Sequence, residues 1–180
     1  SKLRFALITL VIVMVSALVF IIAGLANGLS EGNTAAIKAL PGNAMVVSAE
    51  SDFLLDRSTV PAADAEVIAA MDGIEAAEPI GISSANIKTD TSTHLTGVSL
   101  FGVESDGFIH PKISDGTWLN ETENGVVIDN SLAKDGVGLG DSLAIEPDGV
   151  ELTVIGITHD QTYRIAPVVY LPLPLWQQLQ

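Results

Sequence analysis

The residues best placed to do chemistry lie in Gly136-Val137-Gly138-Leu139-Gly140-Asp141, a glycine-rich stretch of the kind that cradles phosphate. A dinucleotide fingerprint needs glycines spaced G-x-G-x-x-G between a strand and a long helix; here Asp141 takes the place of the third glycine. An aspartate at that point repels phosphate, and the following "SLAI" alternates like a strand. The stretch therefore reads as a turn in which Gly136 ends a short helix and Gly138 and Gly140 let the chain reverse. The phosphate loop G-x-x-x-x-G-K-[ST] does not occur.

Other chemical groups are equally scattered. His94, His110 and His159 are far apart, and none has a second histidine or a carboxylate at helical ligand spacing, so no metal site is expected. "GVSLFG", with Ser99 at its centre, is one residue too long for a nucleophile elbow and precedes no long helix. Asn120-Glu121-Thr122 fits a glycosylation acceptor, a triplet that chance produces often. Trp118 and Trp176 read as core or domain-edge aromatics, with an interface anchor as the sharper alternative. With no cysteine, the chain has no disulfide, thiol nucleophile or thiolate metal ligand. No catalytic residue can be assembled, which leaves an anchored hydrolase as the weakest reading.

The elements that must position these residues begin with an apolar run. Residues 5–25 carry no charge, and Thr9 and Ser16 are their only polar side chains. As a helix they cover about 32 Å, which matches a hydrocarbon core of about 30 Å. Leu, Ile, Val and Phe dominate the run, so insertion into a bilayer is favoured by several kcal/mol, on the order of 0.3–0.6 per residue. The run is longer than the apolar region of a signal peptide. Lys2 and Arg4 precede it, whereas the first charge after it is Glu31. Positive-inside bias then puts the N-terminus in the cytoplasm and everything from Asn27 onward outside the cell membrane.

All 22 acidic residues follow the span, against six of the eight basic ones, giving the outer part a formal charge of −16. Such a surface keeps a domain soluble and excludes nucleic acid, whose phosphates need a basic patch.

Past the span, "GLSEGNTAAIKAL" continues the helix as far as the stop at Pro41-Gly42. This divides the chain into a transmembrane helix at residues 1–26, a helical stalk at 27–42 and an outer domain at 43–180. In the last of these, "NAMVVSA" is expected as a strand. "VPAADAEVIAAMDG" is expected as a helix with Pro61 early, Gly73 as its stop and Val67, Ile68 and Met71 as its apolar stripe. Two paired strands should flank the polar turn Thr89-Asp90-Thr91-Ser92. A strand, short helix and strand follow in "GVVIDNSLAKDGVGLGDSLAI", then strands in "VELTVIGITHD" and "APVVYLPL", joined across residues 161–165, and a final helix begins in "LPLWQQLQ". The fold class is α+β, dominated by strands.

The order of these elements resembles the periplasmic core domain of MacB/FtsX-type ABC permeases. A G-x-W element at residues 116–118, "SLA" at 131–133, the Gly140-Asp141 turn, a "VIGI" strand at 154–157 and "VYLPL" at 169–173 follow one another as in that family. The first forty residues resemble the DevC/HrtB-like branch, whose members include haem exporters.

The resemblance implies a permease with four membrane helices that works as a homodimer. ATP is bound by a separate cytoplasmic ATPase subunit, and the outer domain lies between the first and second spans. Because the sequence reaches Gln180 before a second span, it is expected to hold the first helix and most of the outer domain. No cofactor is expected in the chain itself. If haem is the exported compound, Met14 is the one soft donor in the span and the candidate ligand. Asn27, Gly28 and Gly32 are the candidate hinge in the stalk. The alternative function is a single-pass membrane-anchored module that binds an extracellular ligand.

Overall fold

The computed structural model describes residues 2–52, 54–89, 92–119, 124–134 and 136–180. The first element is one uninterrupted helix, α1 (Lys2–Ala39), about 57 Å long. Its stretch Lys2–Ser30 is long and apolar enough to cross a membrane, and none of it is buried against the rest of the chain. The helix stops where expected, before Pro41, with Lys38 in its last turn beside the negative end of the helix dipole.

Among the described residues eight strands follow: β1 (Gly81–Thr89), β2 (Ser92–Val103), β3 (Ile113–Gly116), β4 (Gly125–Asp129), β5 (Ser142–Glu146), β6 (Val150–Thr158), β7 (Thr162–Tyr163) and β8 (Ala166–Pro172). Six of them close on themselves in the order β2-β1-β5-β6-β4-β8, because β8 also pairs with β2. The β4–β6 and β2–β8 pairs are parallel and the other four are antiparallel. β3 adds to β6, and β7 to β8. Short helices α2 (Asp64–Ala69), α3 (Asn130–Ala133) and α4 (Leu173–Gln178) complete the α+β domain.

The period of two along the strands divides the core between two faces. Val126 and Ile128 of β4, Val169 and Leu171 of β8, and Val98 and Leu100 of β2 join one buried cluster with Ile87, Leu143 and Leu152. Val127, Val168, Tyr170, Phe101 and Val103, from the intervening positions of the same strands, join a second. Burial on both faces explains why "GVVID" and "VVYL" are continuous apolar runs, whereas β6 alternates.

Two expectations fail. Residues 43–49 form no strand: Met45 and Val46 are exposed, and without burial the β-propensity of the run does not recruit a partner. The helix expected between Pro61 and Gly73 shrinks to the six residues of α2. Gly73 has φ 88° but is not the stop, because α2 already ends at Ala69 with Ala70 as its cap; Val67 and Met71 are exposed, so no apolar stripe is buried to lengthen it. β1 and β2 pair as expected; the Asp90-Thr91 centre of their turn and the Asn120 triplet lie outside the described residues.

Candidate functional site at the helix–domain joint

The C-terminal turns of α1 are where the apolar helix becomes part of the outer domain. Ala36 is completely buried in the second core cluster, with Ile37 and Leu40 packed beside it against Phe101, Val168 and Tyr170. A small side chain at position 36 lets the helix approach the strands closely.

The other half of the joint is the β7–β8 hairpin. Tyr163 pairs with Ala166, so Arg164 and Ile165 form a two-residue turn. Both have positive φ, 53° and 68°. The turn faces α1: the Arg164 N–H donates to the Asn33 carbonyl and the Ile165 N–H to the Gly32 carbonyl, each at 3.1 Å. In an α-helix these carbonyls also accept from residues four positions on, so the turn adds a second donor to each without breaking the ladder.

Behind the hairpin, Tyr163 meets Phe101 edge-on (5.7 Å between centroids) and Phe101 meets Tyr170 edge-on (5.6 Å), while the Tyr170–Trp118 (5.6 Å) and Trp118–His110 (5.7 Å) pairs are tilted. Each such aromatic contact stabilises by roughly 0.5–1.5 kcal/mol beyond its buried area. The train runs from the strand touching α1 to the loops before β3. Ser99 ties it to β7 by donating its hydroxyl to the Tyr163 carbonyl at 3.1 Å, so the centre of "GVSLFG" is a strand residue serving the joint.

A buried polar network holds the base of the hairpin. The Asp129 carboxylate, 1% exposed, caps α3 by accepting from the Ser131 N–H (2.9 Å) and hydroxyl, and its other oxygen accepts from the Gln161 N–H at 2.7 Å. The Tyr170 hydroxyl donates to Gln161 Oε1 at 2.8 Å, while the Gln161 amide nitrogen donates to the His159 carbonyl at 3.2 Å. Burial, reinforced by the nearby Asp129 charge, pushes the Tyr170 hydroxyl well above its ordinary pKa and keeps it a donor.

The structure gathers few of the residues singled out in the sequence. Gly32 contributes its carbonyl to the joint; Asn27 and Gly28 lie one turn nearer the span, within the unbroken helix. A Cβ on Gly28 or Gly32 would meet nothing within 4 Å. Met14 is 64% exposed in the middle of the apolar stretch. Among the described residues no group of three potential metal ligands comes together.

The glycine loop turns on itself. Gly138 N–H donates to the Asp141 carboxylate at 2.7 Å, Gly140 N–H to the Val154 carbonyl at 2.8 Å, and Gly136 and Gly140 have positive φ. The Gly138 amide thus already binds an anion, the chain's own Asp141. Trp176 lies over Gly81 and Gly102, which face each other across β1 and β2, and its indole N–H donates to the Ser83 hydroxyl at 3.0 Å. Trp118 packs in the aromatic train with its indole nitrogen buried and unpartnered among the described residues.

Sequence reasoning missed Asn33, Ala36, Arg164 and Ile165. Only the pair of non-turn residues between two strands, "TYRIAPV", hinted at the hairpin.

The model of the MacB-like periplasmic core domain matches residues 5–180, helix and strands together. The chain belongs to this family. Its relatives include two proteins from strains of Staphylococcus epidermidis, each named "Putative hemin transport system permease protein HrtB", 23% identical over 170 residues. The chain spans about half the length of these curated relatives: the match covers 94% of it and 46% of each of them. Among solved structures, the periplasmic region of MacB from Actinobacillus actinomycetemcomitans shares the fold, with a TM-score of 0.52 and 20% identity over 71% of this chain and 62% of that one. The extracellular domain of YknZ, a non-canonic ABC-type transporter from Gram-positive bacteria, gives a TM-score of 0.48 at 17% identity, over 66% and 67% of the two chains. The chain thus joins an apolar helix to a MacB-like periplasmic core domain and is similar to the HrtB permease proteins.

Proposed function

We propose that the chain is the first membrane helix and outer domain of a permease subunit in an ABC-type efflux system, driven by a separate cytoplasmic ATPase. In this reading residues 1–26 span the cell membrane with the N-terminus in the cytoplasm, 27–42 form the stalk, and 43–180 form the extracytoplasmic domain. Two copies form the permease dimer. The exported compound is small and hydrophobic, with haem the first candidate through the name of the HrtB relatives.

The single observation that carries the reading is the family match across residues 5–180, which joins the apolar helix and the outer domain in one unit. The joint supplies its mechanism. ATP-driven movement of α1 is passed to the domain through Ala36 and the hairpin turn at Gly32 and Asn33, so the work is mechanical and the chain needs no catalytic group. The stalk flexes at Asn27 and Gly28, below the point where it is gripped. Met14, in the middle of the span, serves as a haem ligand from within the dimer.

The test is ATP hydrolysis by the full-length permease with its ATPase in lipid nanodiscs. Stimulation by haem, reduced in Met14→Ala together with the haem Soret shift, is the expected outcome. Hydrolysis indifferent to haem would remove haem as the exported compound, and failure of the permease to alter hydrolysis at all would overturn the permease reading.

A further inference from the structure

The turn closing the β7–β8 hairpin is made of residues ill suited to it. A two-residue turn with positive φ at both positions is met without strain by Asn-Gly, and a β-branched residue there is a conformational outlier. Yet this chain places Arg164 and Ile165 in it, at φ 53° and 68°. Packing does not compensate, because Ile165 is 61% exposed. Its side chain serves neither the turn nor the core, which marks a position kept for another contact.

The location of the turn says which contact. Its N–H groups bond the carbonyls of Gly32 and Asn33, and Gly32 lies two residues beyond the apolar stretch Lys2–Ser30. That is about 3 Å along the helix from Ser30 and about 10 Å from Leu25. Lipid headgroups add about 5–7 Å outside the hydrocarbon on each side, so with the hydrocarbon edge between Leu25 and Ser30 the turn stands in the headgroup layer or at its outer rim. The strands leaving it meet the later residues of α1, since Tyr163, Val168 and Tyr170 share a cluster with Ala36, Ile37 and Leu40. The turn is therefore the membrane-facing end of the hairpin. Leu25 and Leu29, spaced by four on the face that leads to Asn33, are exposed as well. Exposed apolar side chains thus stand on both partners of the joint, Leu29 on the helix and Ile165 on the turn.

We infer that the Arg164–Ile165 turn is a lipid-contacting element, with Ile165 seated in the headgroup layer of the bilayer that α1 crosses. The inference rests on the reading of α1 as a membrane span. The contact gives the outer domain a second foothold on the membrane and so fixes its tilt about α1.

The experiment is depth-dependent fluorescence quenching in the full-length permease, with native cysteines outside this chain replaced, in phosphatidylcholine–phosphatidylglycerol vesicles. A bimane label is placed at Ile165→Cys, at Arg164→Cys should the first variant fail to assemble, and at Leu18→Cys in the span. Lipids brominated near the top of the acyl chain should quench the label on the turn about twofold, with little quenching by aqueous iodide. A turn label quenched by iodide alone, or shielded from both quenchers, would overturn the lipid contact while brominated lipid still quenches position 18. No quenching at position 18 would overturn the membrane reading, and the inference with it.

Discussion

The backbone N–H of Ile165 donates to the carbonyl of Gly32 across 3.1 Å, joining residues 133 positions apart in sequence at the boundary between the apolar helix and the outer domain. A hairpin turn is thereby hung on a helix that otherwise leaves the domain as a bare rod, with Ala36 buried just above. In the proposed mechanism, movement of the rod reaches the strands through these contacts.

Ala36 is the fully buried one of these contacts. Enlarging it to leucine should force the helix away from Phe101 and Tyr170 and destabilise the domain by about 1–3 kcal/mol, as overpacking does elsewhere. Thermal unfolding of the detergent-solubilised protein followed by near-ultraviolet circular dichroism measures the change; an unaltered midpoint would mean the joint is loosely packed.

Replacing Ile165 with glycine should act in the opposite direction. Glycine relieves a positive-φ strain of order 1 kcal/mol while keeping the N–H that bonds Gly32, so the melting midpoint should rise or hold despite the loss of an apolar side chain. A marked fall in the same unfolding assay would contradict the strain argument.

Tyr170 gives a pH signature. Its hydroxyl titrates higher in the folded protein than the ordinary tyrosine value, because burial and Asp129 disfavour the phenolate. The folded state therefore holds this proton when the unfolded chain has released it. The contribution is complete below about pH 10 and is lost as pH rises further, at no more than about 1.4 kcal/mol per pH unit. Denaturant unfolding between pH 9 and 11 should show a shallower decline for Tyr170→Phe. That variant should also cost roughly 1–3 kcal/mol at neutral pH, since Gln161 Oε1 loses its donor in a buried site.

Gly102 faces Gly81 across β1 and β2 beneath the Trp176 ring. Gly102→Ala should lift the indole off the sheet, shift its emission to longer wavelength and destabilise the domain by about 1–3 kcal/mol. Unchanged emission would show that α4 adjusts without losing its seat.

Much of this architecture is legible in the sequence because it depends on local pattern. The charge-free run to Leu25, the stop at Pro41-Gly42, the two-sided burial of "GVVID" and "VVYL" and the self-contained glycine turn all follow from composition and periodicity. The joint does not. Its helix side is made of backbone carbonyls, which every residue carries, and its hairpin side has Arg-Ile where turn chemistry favours Asn-Gly. Ala36 reads as an ordinary helix former until its neighbours 60 to 130 residues away are known. Residues 43–49 mislead for the complementary reason: their β-propensity is real, but no partner strand or buried face acts on it.

The central claim, that helix movement reaches the outer domain through the turn at Gly32, is tested most directly without knowing the exported compound. Nitroxides on Glu151→Cys in both protomers of the full-length permease, assembled with its ATPase in nanodiscs, report the separation of the outer domains with and without vanadate-trapped nucleotide. Ile165→Pro removes the N–H and forbids the positive φ, whereas Ile165→Gly keeps both. The account predicts a nucleotide-dependent distance change in the parent protein and in Ile165→Gly that is lost in Ile165→Pro while basal ATP hydrolysis persists. The same distance change in Ile165→Pro would contradict it.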